Sequence, residues 1–237
     1  MREPAERHGR AERPLPSAVI FDVDGLLVDS EQYWDEARRT FVAEHGGGWT
    51  SDDQRRVMGA NSAEWARYIA DRFEIAMLPD QIIQDVQQRV LDLYQDHVPV
   101  LPGALETVRA LASRYALGVA SSGPCPVIEG VLNHLGIRES FAAVVSADEV
   151  ARGKPAPDVY LEAARRLDVD PRRVVAFEDS ANGAAAARAA GMKVIAVPNR
   201  RYADPRQFAG ADRVLHSLMD FRPAMLPALF NLRPDDV

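Results

Sequence analysis

Residues 20–30 read IFDVDGLLVDS. The run is as apolar as a buried strand, yet it carries Asp22, Asp24 and Asp29. A strand interior does not hold unpaired carboxylates, because burying a charge without a partner costs several kcal/mol. Asp22 and Asp24 therefore belong at the end of the strand, facing water, or in a site that needs them. The apolar part, residues 18–23, is short and β-rich and predicts a first strand. Five similar runs follow: ALGVASS (116–122), FAAVVSA (141–147), RRVVAFED (172–179), MKVIAVP (192–198) and ADRVL (211–215). Between them lie helical patterns at 101–115, 126–136, 156–169 and 180–191, the last with Ser180 as cap and Gly191 as stop. Strands alternating with helices predict a Rossmann-like α/β core, a parallel sheet with helices on both faces.

The alternation breaks once, directly after the first strand. Residues 30–97 show helical periodicity in SEQYWDEARRTFVAEHGGGW, SAEWARYIADRF and PDQIIQDVQQRVLDLYQDH, and few strand signals. Ser30 is placed to cap the first of these helices, Gly46–Gly48 to end it, and Pro79 to open the last. The expectation is an inserted α-helical cap domain over 30–97, a catalytic core over 17–29 and 98–237, and a disordered tail over 1–16, whose charge and proline include no apolar signal segment.

Bulk properties narrow the function. A net charge of −7 argues against a partner held through its nucleic-acid backbone. No apolar run approaches the roughly 20 residues of a membrane span. Cys125 is alone, so it forms no internal disulfide, which suits the cytoplasm. The partner expected is a small phosphorylated metabolite, for a chain that is a monomer or weak homo-oligomer.

Open parallel sheets bind ligands beyond the carboxyl ends of their strands. Asp22 and Asp24 end the first strand, Ser121 and Ser122 the second, and Glu178 and Asp179 the strand RRVVAFED. Lys154, in RGKPAPD, precedes a helix that starts near Pro157 and falls at the same edge. Four carboxylates there cannot all stay ionised without a counter-charge. A hard divalent cation with oxygen ligands, Mg²⁺, resolves this, with Asp22, Asp24, Glu178 and Asp179 as the metal-side residues. Lys154 and the serines suit a phosphate group. Carboxylate, Mg²⁺, lysine and phosphate together make a phosphoryl-transfer site. Taken singly, DxDG, SSG, GKP and EDS each have an ordinary turn or cap reading; their order at successive strand ends carries the argument.

That order resembles the haloacid dehalogenase-like superfamily of hydrolases. FDVDG looks like its first motif, Ser121 its second, Lys154 in GKPAPD its third and EDSANG its fourth. A helical insert after the first motif resembles the capped subfamily, and FDVDGLLVDSEQYWDEA with GKPAPDVYLEAARRL resembles its sugar-phosphatase and β-phosphoglucomutase branch. The resemblance implies Asp22 as nucleophile and Asp24 as general acid/base. It implies Mg²⁺ on Asp22, the Asp24 main-chain carbonyl and Asp179, with Glu178 helping directly or through water. Ser121 and Lys154 would face the phosphoryl oxygens. Asp24 speaks against a dehalogenase, and the absence of lysine from 30–98 against a Schiff-base phosphonoacetaldehyde hydrolase. The mutase branch carries a histidine where this chain has Trp34, which favours hydrolysis; the alternatives are a hexose phosphate mutase and a catalytically silent binding protein. VMGANSAEW (57–65) resembles the cap segment that touches substrate, making Asn61, with Trp34 and Ser122, the substrate-side candidates, while Ser62 is equally placed to cap the helix that follows.

Overall fold

The computed structural model describes residues 15–58, 60–199 and 205–230 of the chain; nearly all of the expected tail lies outside them. Among the described residues six strands, β1 (Ala18–Phe21), β2 (Ala116–Ser121), β3 (Ala143–Ser146), β4 (Val174–Glu178), β5 (Lys193–Ala196) and β6 (Arg213–Val214), form one sheet in the order β3-β2-β1-β4-β5-β6. Every pairing is parallel. The order runs outward in both directions from β1, so β1 lies at the topological switch point where such sheets form their binding crevice.

Alternation along the strands explains the two covered faces. Val19 and Phe21 of β1, with Val175 and Phe177 of β4, join the core under α5 (Ala104–Ala112) and α6 (Cys125–His134). Ala18 and Ile20, with Val174 and Ala176, face α7 (Asp158–Arg166) and α8 (Ala181–Ala189). Phe21 stacks on Phe177 at 4.9 Å between ring centroids and meets Phe141 edge-on at 6.1 Å. Strand β1 ends at Phe21, two residues earlier than its apolar run suggests, because the chain turns at Val23: the N–H groups of Leu27 and Val28 both donate to the Val23 carbonyl.

Between β1 and α5 stand four helices, α1 (Glu31–Glu44), α2 (Ser51–Val57), α3 (Ser62–Phe73) and α4 (Pro79–Asp96). Helix α4 buries Ile82, Val86, Val90 and Tyr94, a stripe at four-residue spacing, and Pro79 opens it as expected. The short polar helix α2 has no apolar periodicity to betray it; a capping box between Thr50 and Asp53 starts it. Two expected caps are different. Asn61, not Ser62, caps α3 and forms a box with Glu64. Ser30 stands at the start of α1 but makes no cap bond; its hydroxyl goes to Asp24. The two connections to the sheet run side by side: Asp29 N–H donates to the Pro99 carbonyl (2.8 Å) and Leu101 N–H to that of Leu27 (2.9 Å). On the far side, Asp148 accepts from the N–H and hydroxyl of Ser62 at 3.0 and 2.7 Å, tying α3 to the loop after β3.

Candidate active site

Asp22 extends β1 by one bond, its N–H donating to Phe177 O of β4 at 3.0 Å, which aims the side chain past the sheet edge. Glu178 ends β4 next to it, and Asp179 follows. Oxygens of Asp22, Glu178 and Asp179 lie within 4.8 Å of one another. Lys154 Nζ donates to Asp22 Oδ1 at 3.0 Å and also to Glu178 Oε1, and all three side chains are buried. Tyr160 O–H donates to the same Glu178 oxygen at 2.7 Å; Ser180 supplies Oε2 with its N–H (3.1 Å) and hydroxyl (3.0 Å). Glu178 is thus held by four donors, and the lysine it grips is fixed against Asp22.

One ammonium does not neutralise this cluster. Burial raises the Asp22 carboxyl to about 7 against the pull of Lys154, with Glu178 and Asp24 adding to the rise. Burial, with Asp22 and Glu178 as neighbours, drives Asp179 well above its ordinary value. Burial alone would lower the Lys154 ammonium, but Asp22 and Glu178 outweigh it and hold it above its ordinary value. Hard oxygen donors, converging and short of positive charge, are what a divalent cation requires. The glycines of the two acidic motifs make the convergence possible. A Cβ on Gly25, which has φ +84°, would lie 2.1 Å from Asp179 Oδ2, and one on Gly183 would lie 1.8 Å from Glu178 Oε1. Both motifs need hydrogen at these positions so that a carboxylate can occupy the space.

Asp24, two residues after Asp22, accepts from the hydroxyls of Ser30 and Ser121, the latter at 3.2 Å. Ser121 Oγ in turn accepts from Gly123 N–H at 3.0 Å. A cavity of about 410 Å³ opens above these residues, between the sheet edge and the helical block. Asp22, Asp24, Lys154 and Asp179 line its floor, Ser122 its side, and Trp34 and Trp65 its roof. The volume suits a small metabolite. Of the substrate-side candidates, Ser122 and Trp34 line the cavity; Asn61 has its side-chain oxygen engaged by Glu64 N–H in the α3 cap. Four residues escaped the sequence reading: Glu31 and Arg38 at the cavity roof, Gln54 behind them and Tyr160 behind Glu178. Arg38 belongs to the buried stripe of α1 with Trp34, Ala37 and Phe41, and the partly buried Glu31 lies three residues before Trp34; polar residues in register with an apolar stripe were the available signal. Burial lifts Glu31 to about 7, against Arg38, and lowers Arg38 to about 10.

A doubly wound sheet with paired carboxylates and a gripped lysine at its switch point defines a phosphoryl-transfer enzyme. The model of the haloacid dehalogenase-like hydrolases matches residues 19–197, and the chain belongs to that family. It is 36% identical to hexitol phosphatase B of Escherichia coli (strain K12) over 86% of this chain and 93% of that protein. It is 33% identical to the bifunctional riboflavin kinase/FMN phosphatase of Arabidopsis thaliana over 89% of this chain, spanning 55% of that longer protein. Among solved structures, CbbY from Rhodobacter sphaeroides, in complex with phosphate, superimposes with a TM-score of 0.77 at 30% identity, covering 87% of this chain and 96% of that one. The chain is a phosphoric monoester hydrolase of this family. No helix among the described residues is long and apolar enough to cross a membrane.

Proposed function

We propose that the chain hydrolyses sugar or polyol monophosphates through an aspartyl-phosphate on Asp22. The observation that carries this reading is Lys154 Nζ set between Asp22 and Glu178 on the cavity floor, with Asp24 two residues on. The Asp22 oxygen attacks phosphorus as the bond to the alcohol oxygen breaks, and Asp24 gives that oxygen its proton. Water then attacks phosphorus, Asp24 takes its proton, and the Asp22–phosphorus bond breaks. Lys154 offsets the charge on Asp22 and on the phosphoryl oxygens, which Ser121 and Ser122 also serve. Asp22, Asp179 and the Asp24 carbonyl are the ligands proposed for Mg²⁺, with Glu178 behind them. Bound there, Mg²⁺ supplies Lewis-acid stabilisation of phosphoryl charge. Residues 30–97 act as the cap that excludes bulk water. A cytoplasmic site of action fits the single free thiol, Cys125. The test is inorganic phosphate release from p-nitrophenyl phosphate and sorbitol 6-phosphate, with Mg²⁺ and with EDTA. Release that needs Mg²⁺ supports the reading, and no release from either substrate with Mg²⁺ rejects it.

A further inference from the structure

The cavity roof contains a polar array that the proposed chemistry leaves unused. Glu31, Trp34 and Arg38 lie three and four residues apart on α1 and all line the cavity, so one face of one helix presents them together. Arg38 is 5% exposed. Its Nη1 donates to Gln54 Oε1 at 3.2 Å, and Gln54 Nε2 donates to Glu31 Oε2 at 2.9 Å. Gln54 is therefore a buried bridge that spaces the acid from the base, and it fixes both from behind. The guanidinium packs against two neighbouring indoles, 5.1 Å from the Trp34 centroid and 5.3 Å from that of Trp65, the two rings being 6.2 Å apart. Its Nε–H is buried and has no hydrogen-bond partner.

An open donor on a buried guanidinium is costly, by the full desolvation of that group. Arg38 also lines the cavity, and there a ligand atom can meet the part of the guanidinium that faces it. We propose that Arg38 and Glu31 are specificity-determining residues that bind neighbouring hydroxyls of the leaving alcohol, with Trp34 and Trp65 enclosing its carbon chain. A hydroxyl both donates and accepts, so a diol can accept from the cavity-facing part of the Arg38 guanidinium with one oxygen while donating to the Glu31 carboxylate with the other. The same pair selects against two other leaving groups. A plain alkyl chain leaves both groups with Gln54 as their only hydrogen-bond partner among the described residues, and a site built for hydroxyls rejects analogues that lack them. A second phosphate would meet Arg38 but also the Glu31 carboxylate beside it, in a cavity whose floor is already rich in carboxylates. The expected substrate is thus a monophosphate of a neutral, hydroxyl-rich alcohol. The inference rests on the phosphatase reading and adds to it which residues choose the alcohol.

The experiment compares sorbitol 6-phosphate, hexyl phosphate, fructose 1,6-bisphosphate and p-nitrophenyl phosphate on the full chain with Mg²⁺. Wild type should prefer sorbitol 6-phosphate over hexyl phosphate and over the bisphosphate. The ratio of kcat/KM for sorbitol 6-phosphate to that for p-nitrophenyl phosphate should fall about 10- to 100-fold in Arg38→Met, the range for losing a hydrogen bond to a charged group. Arg38 is buried, so Glu31→Gln, which keeps the side chain's shape and its acceptor for Gln54, is the companion variant and should lower the same ratio. The KM for sorbitol 6-phosphate should rise in both. A role in folding alone lowers turnover of both substrates together; an unmoved ratio in Glu31→Gln, with wild type active on p-nitrophenyl phosphate, overturns the assignment while leaving the phosphatase reading standing. Wild-type preference for the bisphosphate, lost in Arg38→Met, would instead make Arg38 a second-anion site. Wild type inactive on every substrate defeats the phosphatase reading itself, and this inference with it.

Discussion

Removing the charge of Lys154 tests how the carboxylate cluster is held. The Lys154→Met variant keeps the side chain's length but leaves Asp22 and the wholly buried Glu178 with no cation against them. Breaking a buried ion pair from one side costs about 3–5 kcal/mol. In a domain of this size each kcal/mol moves Tm by about 2–4 °C, so Tm in EDTA should drop by about 6–20 °C. The pH dependence has a definite sign. Burial holds the Asp22 carboxyl at about 7, above its ordinary 3.8, so the folded state binds the proton more tightly than the unfolded chain does. Stability linked to that proton is full below pH 4 and is lost as pH rises through 7. Without Lys154 the folded value climbs further and the loss continues to higher pH. The gap in Tm between wild type and variant should therefore be narrow at pH 5 and wide at pH 8, and Mg²⁺ should reduce it at pH 8. Thermal melts followed by circular dichroism, at both pH values, with EDTA and with Mg²⁺, measure all of this. A Tm within 2 °C of wild type at pH 8 in EDTA, or a gap wider at pH 5 than at pH 8, would refute the reasoning.

Three further perturbations address separate parts of the site. Asp24→Ala should slow release from sorbitol 6-phosphate by about 10²–10⁴-fold, the worth of general acid–base help, and slow the first step with an aryl phosphate much less, because its leaving group needs little protonation; equal loss of the phosphorylation rate on both argues against Asp24 as the acid. Asp179→Ala should raise the Mg²⁺ concentration needed for half-maximal activity, with excess Mg²⁺ restoring part of it; an unchanged midpoint in a metal titration rejects Asp179 as a ligand. Trp34 offers one N–H donor and no group that titrates near neutral pH. β-Glucose 1-phosphate with Mg²⁺ and a trace of glucose 1,6-bisphosphate should therefore give free phosphate faster than glucose 6-phosphate, and the reverse order would promote a mutase.

Much of this was legible because strand ends are chemically conspicuous. IFDVDG and VVAFED each place carboxylates directly after an apolar run, and in a parallel sheet such positions converge on one edge. The break in alternation after β1 likewise falls where α1 to α4 stand. What stayed hidden depends on partners remote in sequence. Ser30 has the residue type and position of a helix cap, and only the turn at Gly25 brings Asp24 back to claim its hydroxyl. Asn61 and Ser62 are both good caps, and what separates them is Asp148, 86 residues further on, which takes Ser62. Tyr160 reads as an ordinary apolar position of α7 until Glu178 arrives beside its hydroxyl. Helix α2 is too short and polar for periodicity to reveal, so Gln54, and with it the link from Glu31 to Arg38, was out of reach.

The proposed mechanism turns on a covalent bond between Asp22 and phosphorus. Borohydride reduces an aspartyl-phosphate to homoserine and leaves a free aspartate intact, so the most direct measurement is to quench the enzyme with borohydride during turnover of sorbitol 6-phosphate and sequence its peptides by mass spectrometry. Homoserine at position 22, dependent on substrate and absent when substrate is withheld, is the result this account predicts. Steady phosphate release with unmodified Asp22, or homoserine at another aspartate in its place, would contradict it.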